Sequence, residues 1–176
     1  MAASTQPGRE AGRARARIGF PGSGTASVAT GIPVLDHLLG LLARYGRFDL
    51  ELEVAPGGAV VEAAACGHAL GEALAQALSH ERAFGYGSGH AAADEALAQV
   101  VLEASGRPLV VSNVDLSAAR IGGVGTDVVA RFLDELAKSA GLTLHVRLVD
   151  GKETEHVVEA IFKALGGALC RAMPRN

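Results

Sequence analysis

Glu155-His156-Val157-Val158-Glu159 sets two carboxylates and an imidazole within five residues. The run continues through Ala160-Ile161-Phe162-Lys163-Ala164, where Val157, Val158, Ile161, Phe162 and Leu165 form an apolar stripe of helical period. On a helix, Glu155 and Glu159 share a face and can point at one ion. His156 lies one position round and meets a different neighbour, which suits a helix lying between two sites. Carboxylate oxygens and imidazole nitrogens are both competent donors for divalent metals. The plainer reading is an amphipathic helix with a solvated charged edge.

The remaining histidines divide by their surroundings. His37 sits between apolar Leu35 and Leu38, where a partly buried core residue is the ordinary expectation. His145 alternates with Leu144 and Val146, so it lies on the opposite face of a strand from them. His80 and His90 flank the Gly85–Gly89 stretch and read as surface residues. That stretch has neither the Lys-Ser/Thr ending nor the spacing of a phosphate-binding fingerprint.

Elements must position these side chains, and composition says what they can be built from. With 176 residues, 49% hydrophobic and 20% charged, the chain is long and apolar enough for a real core. Trp is absent, so Leu, Val and Ala must fill that core. A net charge of −3 with no basic patch argues against nucleic acid. No apolar run approaches the roughly 20 residues of a membrane span. Cys66 and Cys170 form no metal-type pair and demand no oxidising compartment. The polar, Arg-containing N-terminus reads as a flexible arm over residues 1–15, and the cytoplasm is the expected compartment.

The chain repeats itself. Val34, Leu38, Leu41 and Gly46 recur as Val129, Leu133, Leu136 and Gly141 at an offset of 95. The strand-like segment 48–54 recurs as 142–148 at an offset of 94. Leu70, Ala73, Leu74, Ala77 and Leu78 return as Ile161, Ala164, Leu165, Ala168 and Leu169 at an offset of 91. Each half reads as helix, Gly stop, alternating strand, turn, helix. A hairpin is expected before the first helix, Ala16 to Phe20 with Thr25 to Ala29, joined by Pro21-Gly22-Ser23-Gly24. Its second-half counterpart is Leu109 to Leu116 with Gly122-Gly123. The fold class is therefore α+β with an internal duplication, each half a β-sheet packed on two α-helices. The halves are expected at 16–104 and 105–176, in one compact pseudo-dimeric domain.

Thr30-Gly31-Ile32-Pro33-Val34-Leu35-Asp36-His37-Leu38-Leu39 resembles a segment of the imidazoleglycerol-phosphate dehydratase family of histidine biosynthesis. Arg44 to Leu50, Asp94 to Ala98, Ser105 to Pro108, and Leu142 to Val146 match the same family in the same order. Glu155 to Ala164 resembles its second metal helix, and the resemblance spans nearly all of Ala16 to Ala172. It implies a ribosomal protein S5 domain 2-like fold. It also implies a metal-dependent hydro-lyase acting on a phosphorylated imidazole, with manganese as the divalent ion and homo-oligomers built on trimers.

Carried across residue by residue, the resemblance retains His37, His145, His156 and Glu159 as metal ligands, with Glu155 and His68 as ligand-capable replacements. One partition is a hard site of His37, Glu155 and Glu159 and an imidazole-rich site of His68, His145 and His156. Glu159 and Asp94 are the catalytic candidates, and Arg107 and Lys163 the phosphate-binding ones. Departures accompany the matches. Anchored on Leu70 to Leu78, the first-half motif of two histidines and a glutamate falls on Ala64, Ala65 and His68. Ala93 stands for a methionine and Gly85 for an arginine, and the family's C-terminal serine-lysine phosphate loop has no counterpart. The expectation is a hydro-lyase with impaired or altered activity. The alternative is an inactive paralogue serving as a structural or regulatory oligomer subunit.

Overall fold

The computed structural model describes residues 13–115, 120–121, 123–125 and 127–174. Residues 1–12 of the expected arm, together with Leu116 and Gly122, lie outside these. The first sheet is formed by β1 (Ala14–Gly19), β2 (Ala26–Ala29) and β3 (Asp49–Val54) in the order β1-β3-β2. With it go α1 (Pro33–Gly46) and α2 (Ala59–Leu78). The second sheet runs β4-β5-β9-β6, from β4 (Tyr86–Ala93), β5 (Ala96–Glu103), β6 (Leu109–Ser112) and β9 (Thr143–Asp150). Two-residue strands β7 (Arg120–Ile121) and β8 (Val124–Gly125) pair with each other, and α3 (Asp127–Ala140) and α4 (Thr154–Ala172) complete the half. The duplicated α+β architecture is as expected.

The expected hairpin does not form. β1 is antiparallel and β2 parallel to β3, so the two strands flank β3 on opposite edges. The intervening turn is tied to the start of β3. The Asp49 carboxylate accepts hydrogen bonds from the Ser23 and Thr25 N–H groups and the Ser23 hydroxyl, and Gly22 N–H donates to the Arg47 carbonyl. The chain thus crosses the end of β3 instead of folding back on β1. In the second half, β5 and β6 hold the same antiparallel and parallel places beside β9. β4 and β5, expected in the first half, therefore belong to the second, and the halves divide before Tyr86 rather than at residue 104.

Burial corrects the repeat register. Leu35, Leu38, Leu39, Leu42, Ala43 and Gly46 are buried on α1, and the residues 94 positions later are buried on α3: Val129, Phe132, Leu133, Leu136, Ala137 and Ala140. The left-handed residue ending each helix follows the same offset, Arg47 at φ 54° and Gly141 at φ 66°. Gly46 is the last residue of α1, where a Cβ would strike the Phe48 ring. The second helices start 95 positions apart, at Ala59 and Thr154. The offset of 91 is one helical turn out, an error an apolar stripe permits because four residues nearly restore the same face.

Two glycines fix that register. α2 packs across α3 and α1 across α4, joining the halves. At one crossing, a Cβ on Gly71 would lie 2.8 Å from the Leu136 carbonyl; at the other, a Cβ on Gly166 would lie 2.7 Å from the Leu42 carbonyl. Gly71 and Gly166 are 95 apart, and Leu42 and Leu136 are 94 apart. On the sheet side, α4 lies on β4 so closely that Gly87 and Gly89 face the Ala168 and Ala164 carbonyls. Phe132 and Phe162 are fully buried, with ring centroids 5.7 Å apart, between α3 and α4.

Gly166→Ala weighs two effects against each other. Helix propensity alone favours alanine by about 1 kcal/mol, whereas overpacking a close contact costs about 1–3 kcal/mol. The contact here is rigid backbone, so the second effect prevails. Thermal melts of the variant are expected to show a lower Tm than wild type; an unchanged or higher Tm would contradict the tight crossing.

Candidate active site

The α1–α4 crossing brings two sequence-distant groups together. His37 stands one turn into α1, and its Nε2 lies 2.8 Å from Glu159 Oε1 on α4. The loop before α1 holds it there. Thr30 donates to Asp36 from its N–H at 2.9 Å and its hydroxyl at 2.6 Å, Gly31 takes a φ of 76°, and Pro33 opens the helix. Beneath the loop, buried Glu62 accepts the Gly57 N–H at 2.7 Å and lies against Gly31. Asp36, beside His37 in sequence, is thus a structural anchor.

A turn earlier on α4, His156 meets the hairpin joining β4 to β5. Ala93 pairs with Ala96, leaving Asp94 and Glu95 as a two-residue turn with Asp94 at φ 48°. His156 Nε2 is 3.2 Å from Asp94 Oδ2, and His156 Nδ1 is 2.6 Å from Glu95 Oε2. The other Glu95 oxygen accepts the N–H groups of Lys152 at 3.2 Å and Glu153 at 2.8 Å. Glu153 is the N-cap position of α4 and makes no side-chain cap bond, so a carboxylate from another element does that work. Sequence reading gave Glu95 no role. The signal available was an acid pair alone between two strand-like runs.

Lys163, two turns into α4, donates to the Ala92 carbonyl at 3.2 Å and lies 5.6 Å from the Tyr45 ring centroid. Glu155 is exposed at the start of the helix. The other candidates lie elsewhere. His68 is exposed on α2, 3.3 Å from Glu72. His145 is exposed on β9, in register between Val101 and Val111 on the side away from the buried Leu144 and Val146. Arg107 is in the turn before β6, held by Ser105 and Thr143 at the start of β9. That end of the strand is about 23 Å from Asp150, from which the chain passes into α4. His68, His145 and His156 do not converge within the chain. Among the described residues, no group of three or more His, Cys, Asp or Glu is gathered so that it could hold a metal ion.

The corrected register locates the duplicate of this site. Val60, Val61 and Ala64 on α2 stand where Glu155, His156 and Glu159 stand on α4, so Ala64, Ala65 and His68 are not their counterparts. His68 corresponds to Lys163. Arg131, 94 positions after His37, faces the same patch and pairs with Glu135 at 3.3 Å. Val60 and Val61 are 43% and 48% exposed, an apolar surface in place of an acid–imidazole one.

A duplicated α+β fold with an acid–imidazole cluster where its halves cross sets the chain beside a class of lyases, as comparison with known proteins shows. The family model described as imidazoleglycerol-phosphate dehydratase matches residues 30–169. The chain belongs to that family, dehydratases of histidine biosynthesis. Among its relatives, the Clostridium botulinum (strain Kyoto / Type A2) dehydratase is 39% identical over 92% of this chain and 85% of its own length. The Acetivibrio thermocellus dehydratase is 40% identical over 86% of this chain and 80% of its own. The crystal structure of the Staphylococcus aureus enzyme superposes with a TM-score of 0.84 at 30% identity, covering 93% of this chain and 94% of that one.

The Glu95–His156 pair has a definite pH signature. Glu95 is held at about 2, below its ordinary 4.5, first by the Glu153 N–H and then by His156. His156 is raised above its ordinary 6.5, chiefly by its hydrogen bond to Glu95. The depressed Glu95 supports the native state fully above 4.5 and loses that support as pH falls toward about 2. The raised His156 supports it fully below 6.5 and loses that support as pH rises through its folded value. In metal-free protein, the Tm difference between wild type and His156→Ala is expected to be largest from pH 4.5 to 6.5 and to shrink on either side. Melts across that range check it; a difference independent of pH would contradict the pairing.

Proposed function

We propose that the protein is a metal-dependent hydro-lyase acting on imidazoleglycerol phosphate or a close phosphorylated imidazole, with impaired or altered activity, in the cytoplasm. The observation that carries this reading is the contact of His37 with Glu159, alongside His156. These side chains offer imidazole nitrogens and carboxylate oxygens, a donor set suited to manganese or zinc. They occur as pairs rather than a closed set, as in a site completed by a second copy of the chain. His37 with Glu159, and His156 a turn away, would each contribute donors to an ion whose remaining ligands come from another copy of the chain, with Glu155 at the edge. A bound ion there supplies Lewis-acid stabilisation of an electron-rich imidazole.

The protein's own groups account for the remaining chemistry. Dehydration removes a carbon-bound proton and expels a hydroxyl as water; Asp94 and Glu159 are carboxylates able to take that proton. Lys163 supplies a point charge for phosphate, and Arg107 a bidentate fork. Because Arg107 lies at the far end of β9, it serves a neighbouring copy's site rather than its own. The exposed side of the second sheet carries Tyr86, Val101, Leu109 and Val111, an apolar surface suited to such an assembly. Homo-oligomers built on trimers are expected in sedimentation at micromolar concentration, and a monomer there would refute the shared site.

Val60, Val61 and Ala64 favour a second reading, a non-catalytic subunit that keeps the fold. Metal titration separates the two. Manganese or zinc is expected to raise the Tm, because an ion that binds only the native state stabilises it. Uptake should saturate near one ion per chain, and the paired change His156→Ala with Glu159→Ala should abolish the shift. Converting Val60→Glu, Val61→His and Ala64→Glu should raise uptake. Each lost charge-assisted contact costs roughly 1.5–3 kcal/mol, about ten- to a hundredfold. Turnover with manganese is therefore expected below the roughly 1–10³ s⁻¹ of ordinary enzymes. Full turnover would remove the claim of impairment. An unchanged melting curve in saturating metal would leave the non-catalytic subunit standing.

A further inference from the structure

We propose that Glu95 is a positioning residue that fixes the tautomer and ring orientation of His156, presenting Nε2 as a bare lone pair; its relevance to metal rests on the lyase reading above. The argument begins with what each atom can do. Glu95 Oε1 is occupied by two backbone donors, the N–H groups of Lys152 and Glu153, so the plane of the carboxylate is set by the start of α4. Its other oxygen, Oε2, lies 2.6 Å from His156 Nδ1. An ionised carboxylate only accepts hydrogen bonds, so Nδ1 carries the proton. In the neutral ring that leaves Nε2 unprotonated.

Nε2 faces the Asp94 carboxylate at 3.2 Å. The charged ring turns its Nε2 proton toward Asp94, whereas the neutral ring turns a lone pair toward that carboxylate, two donors that one cation can bridge. The same turn therefore supplies both halves of the arrangement. Glu95 claims one ring nitrogen, and Asp94 marks the place where a cation would meet the other. A histidine ligand whose second nitrogen donates to a carboxylate has its orientation fixed and its basicity raised. The hydrogen bonds of Glu95 go to Lys152, Glu153 and His156, so its effect is exerted through His156.

Glu95→Gln tests this with little change in shape. The amide oxygen can keep the two backbone N–H contacts, which turns the NH₂ group toward His156 Nδ1. Nδ1 must then accept, and the proton moves to Nε2. Long-range nitrogen–proton NMR of ¹⁵N-labelled, metal-free protein at alkaline pH reads the tautomer directly, with His156→Gln identifying the resonances. The wild type is expected to show the Nδ1–H form and Glu95→Gln the Nε2–H form. An Nε2–H form in the wild type overturns the proposal, whatever the variant does. So does the same tautomer in both proteins. Zinc titration then addresses the metal reading separately, with affinity in Glu95→Gln expected to fall about ten- to a hundredfold. A tautomer that switches without changing zinc affinity supports the role of Glu95 and removes His156 from the ligand set.

Discussion

Everything at the candidate site depends on how closely α4 can approach α1. His37 and Glu159 are 122 positions apart, and the crossing of α1 on α4 is what brings them within a hydrogen bond. Gly166 permits that by leaving the Leu42 carbonyl unobstructed. Helix interfaces are close-packed, so a missing methyl group is a geometric instruction as much as a loss of contact. The apolar stripe of α4, with Phe162 fully buried, sets its rotation, and the glycine sets its depth.

The duplicate crossing obeys the same instruction with different chemistry. Gly71 seats α2 on α3 as Gly166 seats α4 on α1, yet the first helix carries valines and alanine where the second carries acid and imidazole. The packing has stayed symmetric while the surface has not. That contrast separates two demands on one sequence: the crossing must keep its small residues to hold the halves together, whereas nothing in the fold requires the exposed residues a turn or two away. Cys66 illustrates the packing side. It is buried in α2 with its thiol pushed up to about 12, by burial first and then by Glu62 and Asp36, and it behaves as a small apolar residue.

Much of the fold was legible because its halves share a hydrophobic rhythm, and the duplication, the helices and the α4 cluster followed from it. The register of the second helices was not, since an apolar stripe looks alike one turn along; only the glycine crossings resolve it. The strand order was hidden for another reason. Ala16 to Phe20 and Thr25 to Ala29 read as a hairpin because a Pro-Gly-Ser-Gly turn joins them, but Asp49 captures that turn from a later strand. The role of Glu95 was invisible because it depends on backbone N–H groups 57 and 58 residues away. Local patterns reveal periodicity well; they cannot reveal a carboxylate that caps a distant helix.

The left-handed turn at Asp94 bears on how this chain can drift. Its φ of 48° is one that Asn and Gly adopt at least as readily as Asp. Selection for a stable hairpin therefore accepts all three, and only selection for the charge beside His156 distinguishes them. A copy freed from its reaction could lose that charge by a single change while the turn itself keeps its shape. At this position the architecture preserves the shape of the turn but offers the chemistry no shelter.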